Sequence, residues 1–192
     1  MPRRVAAPPL APPDPPLADG DIRLEPLSSR DRADAWAMAQ DDDVKRFTFL
    51  QSDADEGWIA DWIGRYERGW RDGSYAGFSI RSAADGAYLG FAAIVRLDLA
   101  ARQGEIGYVV SPHARGRGAA AAAVGLLTRW GFDALGLERL ELRIDDANAP
   151  SKRVAERAGY RLDGVLRSVY FKEGRRADTG VWSRLRTDKL TV

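Results

Sequence analysis

The sequence predicts a single domain of α/β (α+β) class whose sheet is mainly antiparallel. Strand-like and helix-like segments follow the order β-α-α-β-β-β-α-β-α-β-β, which is the first observation behind this prediction. The second is a run of three strands joined by short turns, a pattern that favours antiparallel pairing of neighbours. The third is the length of 192 residues, which suffices for one well-cored domain and scarcely for two.

The N-terminal segment, residues 1–20, differs from the rest of the chain in composition. It holds most of the chain's 10 prolines. We predict a disordered or polyproline-like arm there, followed by one domain over residues 21–192. Prolines also interrupt the apolar stretch that a signal peptide needs, so a cytoplasmic location is expected.

Composition narrows the chemistry that the chain can perform. The net charge of +1 gives no argument for a nucleic acid or a membrane surface as a partner. The chain has no cysteine, and His113 is its 1 histidine. Disulfides, a cysteine nucleophile and metal clusters built on His or Cys are therefore excluded, and we expect no metal. No apolar run approaches the roughly 20 residues that a membrane-spanning helix needs.

Capping residues and helical spacing predict the first elements of the domain. "DIRLEPL" is a short strand, and "SSRDRADAWAMAQ" is a helix capped by Ser28 or Ser29. "DDDVKRFTFLQ" is predicted to be a loop whose Asp41–Asp43 run is solvated. A second helix then starts at Ser52 or Asp53, and its apolar residues, at helical spacing, are expected to be mostly core. Those residues are Trp58, Ile59, Trp62, Ile63 and Tyr66.

The remaining elements are three consecutive strands, two helices separated by a strand, and a closing hairpin. "YAGFSIRS", "AYLGFAAIVRLD" and "GEIGYVV" are consecutive strands, the first two joined at Ala84-Asp85-Gly86. A helix from about Gly118 to Ala134 follows, then the strand "LERLELRID" and a helix, "APSKRVAERAG", that stops at Gly159. The hairpin of "YRLDGVLRSVYF" and "DTGVWSRLR", around "KEGRR", closes the domain.

The segment "SPHARGRGAAAAAVG", residues 111–125, joins a strand end to a helix start and predicts an anion site. Unpaired amides and the macrodipole at a helix N-terminus favour negative charge. Gly116 and Gly118 let the backbone approach a phosphate or pyrophosphate, and Arg115 and Arg117 add charge-assisted contacts. A Walker loop would need a Lys-Ser/Thr pair, and a dinucleotide motif would need an early parallel βαβ unit, so both alternatives fail.

At this segment the chain resembles the GNAT acyltransferases, whose signature is [Q/R]-x-x-G-x-[G/A]. Arg115-Gly116-Arg117-Gly118-Ala119-Ala120 fits that signature. "EIGYVVSP" is similar to the family's fourth strand, and "NAPSKRVAERAGY" is similar to its N-x-x-S helix. "GVLRSVYFKEGRRADTGVWSRL" resembles the closing hairpin of the RimJ/RimL-like subgroup, which acetylates N-termini of ribosomal proteins. The resemblance covers about residues 20–187.

This resemblance implies a fold and a donor site. The expected sheet is central, mixed and mostly antiparallel, with about seven strands flanked by four helices and with strands four and five splayed apart. Acyl-CoA, with acetyl-CoA as the expected donor, would enter the gap. Backbone amides of residues 115–120 would hold its pyrophosphate, and the edge at Tyr108, Val109 and Val110 would pair with the pantetheine amides. An amide near Tyr108 or Val109 would stabilise the oxyanion.

Acyl transfer to an amine needs a base, because a free α-amine has a pKa of about 7.7–8 and a lysine amine one of about 10.4. Glu105 is the candidate, since in the subgroup the acid of an E-x-G-Y-like segment faces the acceptor. An ion-pair role for Glu105 stays open. Asp145 and Asp146 are alternative bases by position.

The leaving thiolate is harder to assign. Many GNAT enzymes have a tyrosine seven residues after the asparagine, where this chain has Ala155. The resemblance therefore gives Ser151 the role of proton donor and lets Asn148 bind pantetheine or a site water. Helix capping is the alternative for both residues.

The predicted function is N-acyl transfer to a primary amine, either a protein N-terminus or a small molecule, by direct attack in a ternary complex. Phe47 and Tyr170 are predicted to line the acceptor pocket, with core or rim packing as the alternative. Two other functions stay open: a CoA-binding or regulatory module without turnover, and a transferase for a bulkier donor such as succinyl-CoA. A homodimer is open as well.

Overall fold

The computed structural model describes residues 8–48, 53–172 and 174–188. The described strands are β1 (Leu17–Asp19), β2 (Ile22–Pro26), β3 (Ala76–Ser82), β4 (Tyr88–Asp98), β5 (Gln103–Val110), β6 (Arg139–Asp145), β7 (Arg161–Lys172) and β8 (Arg175–Leu185). The described α-helices are α1 (Arg32–Ala39), α2 (Asp42–Phe47), α3 (Glu56–Asp72), α4 (Ala119–Asp133) and α5 (Ala149–Arg157). Short 3-10 turns, Ser29–Asp31 and Pro112–Ala114, precede α1 and follow β5.

All strands belong to one sheet in the order β1-β2-β3-β4-β5-β6-β8-β7. Neighbours pair antiparallel except β5 and β6, which are parallel. Their pairing extends only from Gln103↔Arg139 to Glu105↔Glu141, so the two strands separate beyond Glu105. The mixed, mostly antiparallel α/β fold and its split are confirmed. The split strands are β5 and β6 because β1 precedes the strands that the sequence predicted.

Helices cover both faces of the sheet. Alternation along β5 sends successive side chains to opposite faces. Ile106, Tyr108 and Val110 belong to the core under α4 and α5, whereas Val109 packs with the cluster under α1 and α3. By the same alternation Glu105 shares the α1 and α3 face with Val109. The split therefore opens a passage between two chemically different faces.

The sequence prediction of a loop at residues 41–51 is wrong for its first half, because residues 42–47 form α2. The Asp41 carboxylate accepts the Val44 N–H at 3.0 Å, which caps the helix. Acids in the first turn and Lys45 and Arg46 in the last complement the helix dipole. The Asp run is therefore a helix start rather than a loop, while Asp42 and Asp43 are exposed as predicted. Phe49 and Leu50 of the predicted loop and Ser52, a predicted helix start, lie outside the described residues.

Two boundaries and the number of elements also differ from the sequence prediction. The predicted N-terminal arm, described from residue 8, is partly ordered: residues 17–19 form β1, and the Leu10 N–H donates to the Trp70 carbonyl at 2.8 Å. The second helix begins after Asp55, whose carboxylate caps the Trp58 N–H at 2.7 Å. Eight strands and five α-helices are described, against about seven and four expected. The domain limits of 21 and 192 stay a prediction.

Within the described residues, no helix has the length and apolarity that a bilayer crossing requires. The same part of the chain contains no group of three or more His, Cys, Asp or Glu side chains placed to hold a metal ion.

Candidate active site

A cavity of about 790 Å³ occupies the split between β5 and β6 and reaches both faces of the sheet. Most of the predicted site residues line it. They are Phe47, Glu105, Tyr108, Val109, Val110, Arg115, Gly116, Gly118, Ala119, Ala120, Asn148 and Ser151. The fold thus brings together residues that lie more than 100 positions apart in the chain.

The glycine segment forms one end of the cavity, at the N-terminus of α4. Gly116 and Gly118 have φ of +77° and +83°, a left-handed conformation that favours glycine. A Cβ at either position would meet nothing within 4 Å, so the space in front of the backbone is open. The first helical bond runs from the Ala122 N–H to the Gly118 carbonyl at 3.0 Å. The amides of residues 119–121 therefore precede the helical bonding pattern and can bind an anion.

Arg115 is held by the opposite wall of the cavity. Its Nη2 lies 2.5 Å from Asp41 Oδ1, and its Nη1 lies 3.3 Å from Asp43 Oδ2. Burial alone would raise the pKa of Asp41, but hydrogen bonds from Arg115 and from the Val44 N–H bring it below its usual value. The loop predicted to bind phosphate is thereby tied to α2, which carries Phe47.

Two hydroxyl groups meet across the split. Tyr108 Oη, from β5, lies 2.5 Å from Ser151 Oγ in the first turn of α5. Burial raises the pKa of Tyr108 to about 12, although the hydrogen bond with Ser151 works in the opposite direction. The phenol therefore stays protonated throughout the physiological pH range.

Helix capping positions Ser151. The Asn148 Oδ1 accepts the Ser151 N–H at 3.1 Å, so Asn148 is the N-cap of α5 while also lining the cavity. Ala155 lies one turn beyond Ser151 on the same helical face and is fully buried.

Glu105 lies on the other face and is the last residue of β5 that pairs with β6, whereas the pairing of β5 with β4 continues to Val110. It is only 7% exposed, and its Oε2 has no hydrogen-bond partner among the described residues. Arg96 Nε and Arg143 Nε lie 3.4 and 3.5 Å from that oxygen. Burial raises the pKa of Glu105 above its usual value, and the two arginines oppose this rise while Glu141 adds to it. A buried carboxyl with a raised pKa suits a general base.

The alternative bases are, like Glu105, engaged in ion pairs. Asp145 lines the cavity, with its Oδ2 3.2 Å from Arg175 Nη2, and Asp146 pairs with Lys152 Nζ at 2.6 Å. Glu105 is the acid that combines burial with an unbonded oxygen.

Several predicted residues lie elsewhere. Arg117 is exposed and does not line the cavity. Tyr170 lines a separate smaller cavity, and its Oη donates to the Thr48 carbonyl at 2.9 Å. Its role in acceptor binding stays a prediction. His113 Nε2 lies 3.2 Å from the Tyr88 carbonyl oxygen, outside the cavity lining.

The sequence analysis did not predict the arginines that line the cavity on the side of Glu105, which we call the acceptor face. Arg65, Arg96 and Arg143 all line the cavity. The cross-strand pairing of Arg96 with Glu105 depends on a register shift beside Ile94, which no local pattern reveals. Period-2 alternation from Asp145 could have placed Arg143 on the same face of β6.

The fold and the site together fit the acyltransferase class: a split sheet with an open helix start at one end of the cavity and a buried carboxyl on the other face. Residues 21–161 match the acetyltransferase (GNAT) domain. The chain belongs to the GNAT acetyltransferase family.

Individual relatives span different shares of the chain. The uncharacterized N-acetyltransferase YoaA of Bacillus subtilis (strain 168) is 34% identical over 82 residues, 43% of this chain and 46% of YoaA. This chain thus aligns with about half the length of that relative. The spermidine N(1)-acetyltransferase of Escherichia coli (strain K12) is 25% identical over 153 residues, 80% of either chain.

A solved structure supports the same fold. RimL, the ribosomal L7/L12 alpha-N-protein acetyltransferase in complex with coenzyme A, superimposes with a TM-score of 0.81 at 13% identity. The match covers 88% of this chain and 96% of RimL. At that identity the likeness concerns the fold alone.

Proposed function

We propose that this protein transfers the acetyl group of acetyl-CoA to a primary amine by direct attack within a ternary complex. The observation that carries this proposal is the cavity through the split sheet, which joins the open Gly116–Gly118 turn to the buried Glu105 carboxyl. A donor entering from α4 and an acceptor entering from α3 would meet there. Membership of the GNAT family supports acetyl-CoA as the donor.

The donor half is formed by backbone groups and hydroxyls. Amides of residues 116–121 would bind the CoA pyrophosphate at the start of α4. Beyond Glu105, β5 has no strand partner on its β6 side, so residues 108–110 can pair with the pantetheine amides. Asn148 would add a contact from α5.

The groups on the two sides of the cavity take different parts in the reaction. Glu105 takes a proton from the amine, directly or through a water, and the amine nitrogen bonds to the thioester carbonyl carbon. A strand amide near Tyr108 or Val109 stabilises the oxyanion. When the C–S bond breaks, Ser151 Oγ passes a proton to the thiolate and regains one, directly or through water, from the nitrogen of the tetrahedral intermediate. The products are the amide, the free thiol of CoA and an unchanged serine, and Glu105 returns its proton to solvent.

Tyr108 positions the Ser151 hydroxyl rather than supplying the proton itself. Burial raises the pKa of Tyr108 to about 12, so the phenol stays protonated and remains available as a hydrogen-bond donor to Ser151. If the Tyr108 O–H donates to Ser151 Oγ, the single serine hydrogen is free to face the sulfur. In this proposal the phenol near the leaving group is that of Tyr108 on β5, because the α5 position where many GNAT enzymes have a tyrosine is Ala155 in this chain.

The acceptor, the subgroup, the location and the partners are part of the same proposal. The similarity to a spermidine acetyltransferase and to RimL leaves a small-molecule amine and a protein N-terminus as acceptors, within or beside the RimJ/RimL-like subgroup. A cytoplasmic location, a homodimer, and the lack of a nucleic-acid or membrane partner stay predictions.

A second candidate is a CoA-binding module without turnover, favoured by Ala155 in place of the usual tyrosine. A donor bulkier than acetyl-CoA, such as succinyl-CoA, is the third. Calorimetric titration with acetyl-CoA, succinyl-CoA and free CoA, followed by free-thiol release with a panel of amines and peptides, separates the three. We expect acetyl-CoA binding and amine-dependent thiol release. Binding of CoA species without release would favour the module, and binding of none of them would remove the donor site.

A further inference from the structure

The cavity carries more cationic than anionic side chains. Six arginines line it against three acids. The arginines are Arg65, Arg96, Arg115, Arg143, Arg153 and Arg157, and the acids are Asp43, Glu105 and Asp145. Asp43 pairs with Arg115, and Asp145 pairs with Arg175, so neither acid neutralises the acceptor face.

Two of these arginines lie beside the predicted base, and a third lines the same cavity. Arg96 on β4 and Arg143 on β6 both approach Glu105 Oε2. Arg65 on α3 lines the cavity together with its neighbour Tyr66. The cavity therefore presents one buried carboxyl with two guanidinium groups beside it and the Arg65 guanidinium in the same lining.

Two of the guanidinium groups keep free hydrogen-bond donors. Arg143 Nε already donates to Glu141 Oε1 at 3.0 Å. The Arg96 side chain is 64% exposed, and its Nε lies 3.4 Å from Glu105 without a hydrogen bond. Across the described parts of the chain, no ion pair reaches Arg65, which is exposed. Each guanidinium offers a planar fork of donors that fits a carboxylate or phosphate.

We propose that Arg65 and Arg96 form a subsite for an anionic group on the acceptor, so the substrate is a primary amine that carries a carboxylate or phosphate close to the amine. This inference rests on the proposed function and names its substrate class. A polyamine meets like charges at this subsite, which disfavours it. An acidic peptide N-terminus and a small amino acid share the required chemistry.

The test compares acceptors that differ only in one charge. Ser-Asp-Ala amide is paired with Ser-Asn-Ala amide, and free alanine is paired with alanine amide, with spermidine as the cationic reference. The readout is kcat/KM for thiol release from acetyl-CoA. We expect the anionic member of at least one pair to be better by about tenfold, and spermidine to be worse than the neutral members. The pair that responds tells a peptide source from a small-molecule source.

Two variants assign the effect to the subsite. Arg65→Gln and Arg96→Gln should each reduce the anionic-to-neutral ratio at least threefold. The ratio removes any effect of Arg96 on Glu105, because both acceptors use the same base. Arg68→Gln is the matched control, since Arg68 is exposed on the same helix and does not line the cavity. It should leave the ratio unchanged.

A binding measurement keeps this inference separate from the proposed function. The same peptide pair is titrated into the protein saturated with free CoA, where no turnover occurs. Tighter binding of the acidic peptide, lost in Arg65→Gln, supports the subsite even if no thiol is released. Equal binding and equal kcat/KM within both pairs, or a preference for spermidine, overturns it.

Discussion

Tyr108 Oη on β5 lies 2.5 Å from Ser151 Oγ on α5, so two hydroxyls from segments 43 positions apart form one unit at the split of the sheet. Both side chains lie on the face opposite Glu105. Ala155 occupies the helix position where the resemblance implies a tyrosine in many family members, and the phenol beside Ser151 belongs to the strand residue Tyr108. In the proposed reaction this pair lies on the leaving-group side.

Tyr108→Phe should lower kcat about tenfold, equivalent to ~1.4 kcal/mol, while the Kd of acetyl-CoA changes little. The reason is that the variant removes the hydrogen bond that directs the Ser151 hydroxyl and keeps the ring. Steady-state thiol release and calorimetry measure the two quantities. Tyr88→Phe is the control, because Tyr88 is buried away from the cavity, and an equal loss there would make the Tyr108 effect structural.

Ser151→Ala should lower kcat by about 10²-fold, because the thiolate loses its proton donor. Since Tyr108 acts through Ser151, adding Tyr108→Phe to this variant should cause little further loss. The double-mutant cycle is read from kcat under donor saturation. Fully additive losses would show that the two hydroxyls act independently, and wild-type turnover by Ser151→Ala would remove its assigned role.

Glu105→Gln should lower kcat by about 10²- to 10⁴-fold at neutral pH, because the amide cannot accept a proton. The acid limb of the pH–rate profile should also disappear. The profile is measured with one acceptor across pH 5–9. A rate equal to that of the wild type at every pH would exclude Glu105 as the base and return attention to Asp145.

Arg96→Gln should shift the acid limb of kcat/KM to higher pH. Burial raises the pKa of Glu105 and Arg96 opposes that rise, so removing Arg96 raises the pKa further. A base works deprotonated, and activity is then lost at a higher pH than in the wild type. Arg68→Gln should leave the limb in place, and a shift to lower pH in Arg96→Gln would contradict this electrostatic account.

Asp41 combines a helix cap with an ion pair, and two substitutions separate them. Asp41→Asn keeps an N-cap acceptor for α2 but loses the charge facing Arg115, whereas Asp41→Ala loses both. We expect Asp41→Ala to be less stable than Asp41→Asn by about 1 kcal/mol in urea unfolding. Because Arg115 then keeps only its longer ion pair with Asp43, Asp41→Asn should bind free CoA more tightly, and weaker binding would show that the ion pair with Asp41 orders the loop.

The pH dependence of that ion pair has a definite sign. The folded-state pKa of Asp41 is lowered, so its stabilisation is present above the unfolded pKa of about 3.9 and is lost as pH falls through the folded value. The stability difference between wild type and Asp41→Asn should therefore shrink in acid. A difference that is constant down to pH 2 would exclude the charge as its cause.

Gly118→Ala should cost about 1–2 kcal/mol of stability, because φ of +83° is strained for a residue with a Cβ. No described atom lies within 4 Å of that Cβ, so a clash inside the protein adds nothing. The Cβ would instead occupy the space in front of the helix start and weaken CoA binding at least tenfold. Gly136→Ala is the control, with a similar φ of +67° and open space outside the cavity.

The sequence by itself determined the parts that depend on local pattern. Alternating apolar residues specified the strands, Gly159 ended α5, and the Gly116–Gly118 segment indicated an anion site at the start of α4. Period-2 alternation also put Glu105 and Tyr108 on opposite faces of one strand. These features need only the residue's own neighbours in the chain, so they are readable without a structure.

Only the tertiary structure decided which distant groups meet. The Tyr108–Ser151 pair, the Arg115–Asp41 ion pair and the arginines around Glu105 depend on strand register, on a register shift in β4 and on the separation of β5 from β6. A one-residue change in register would move these side chains to the other face. The proposed preference for an anionic acceptor therefore depends on the folded cavity, because Arg65, Arg96, Glu105 and Arg143 come from four separate elements rather than from one motif.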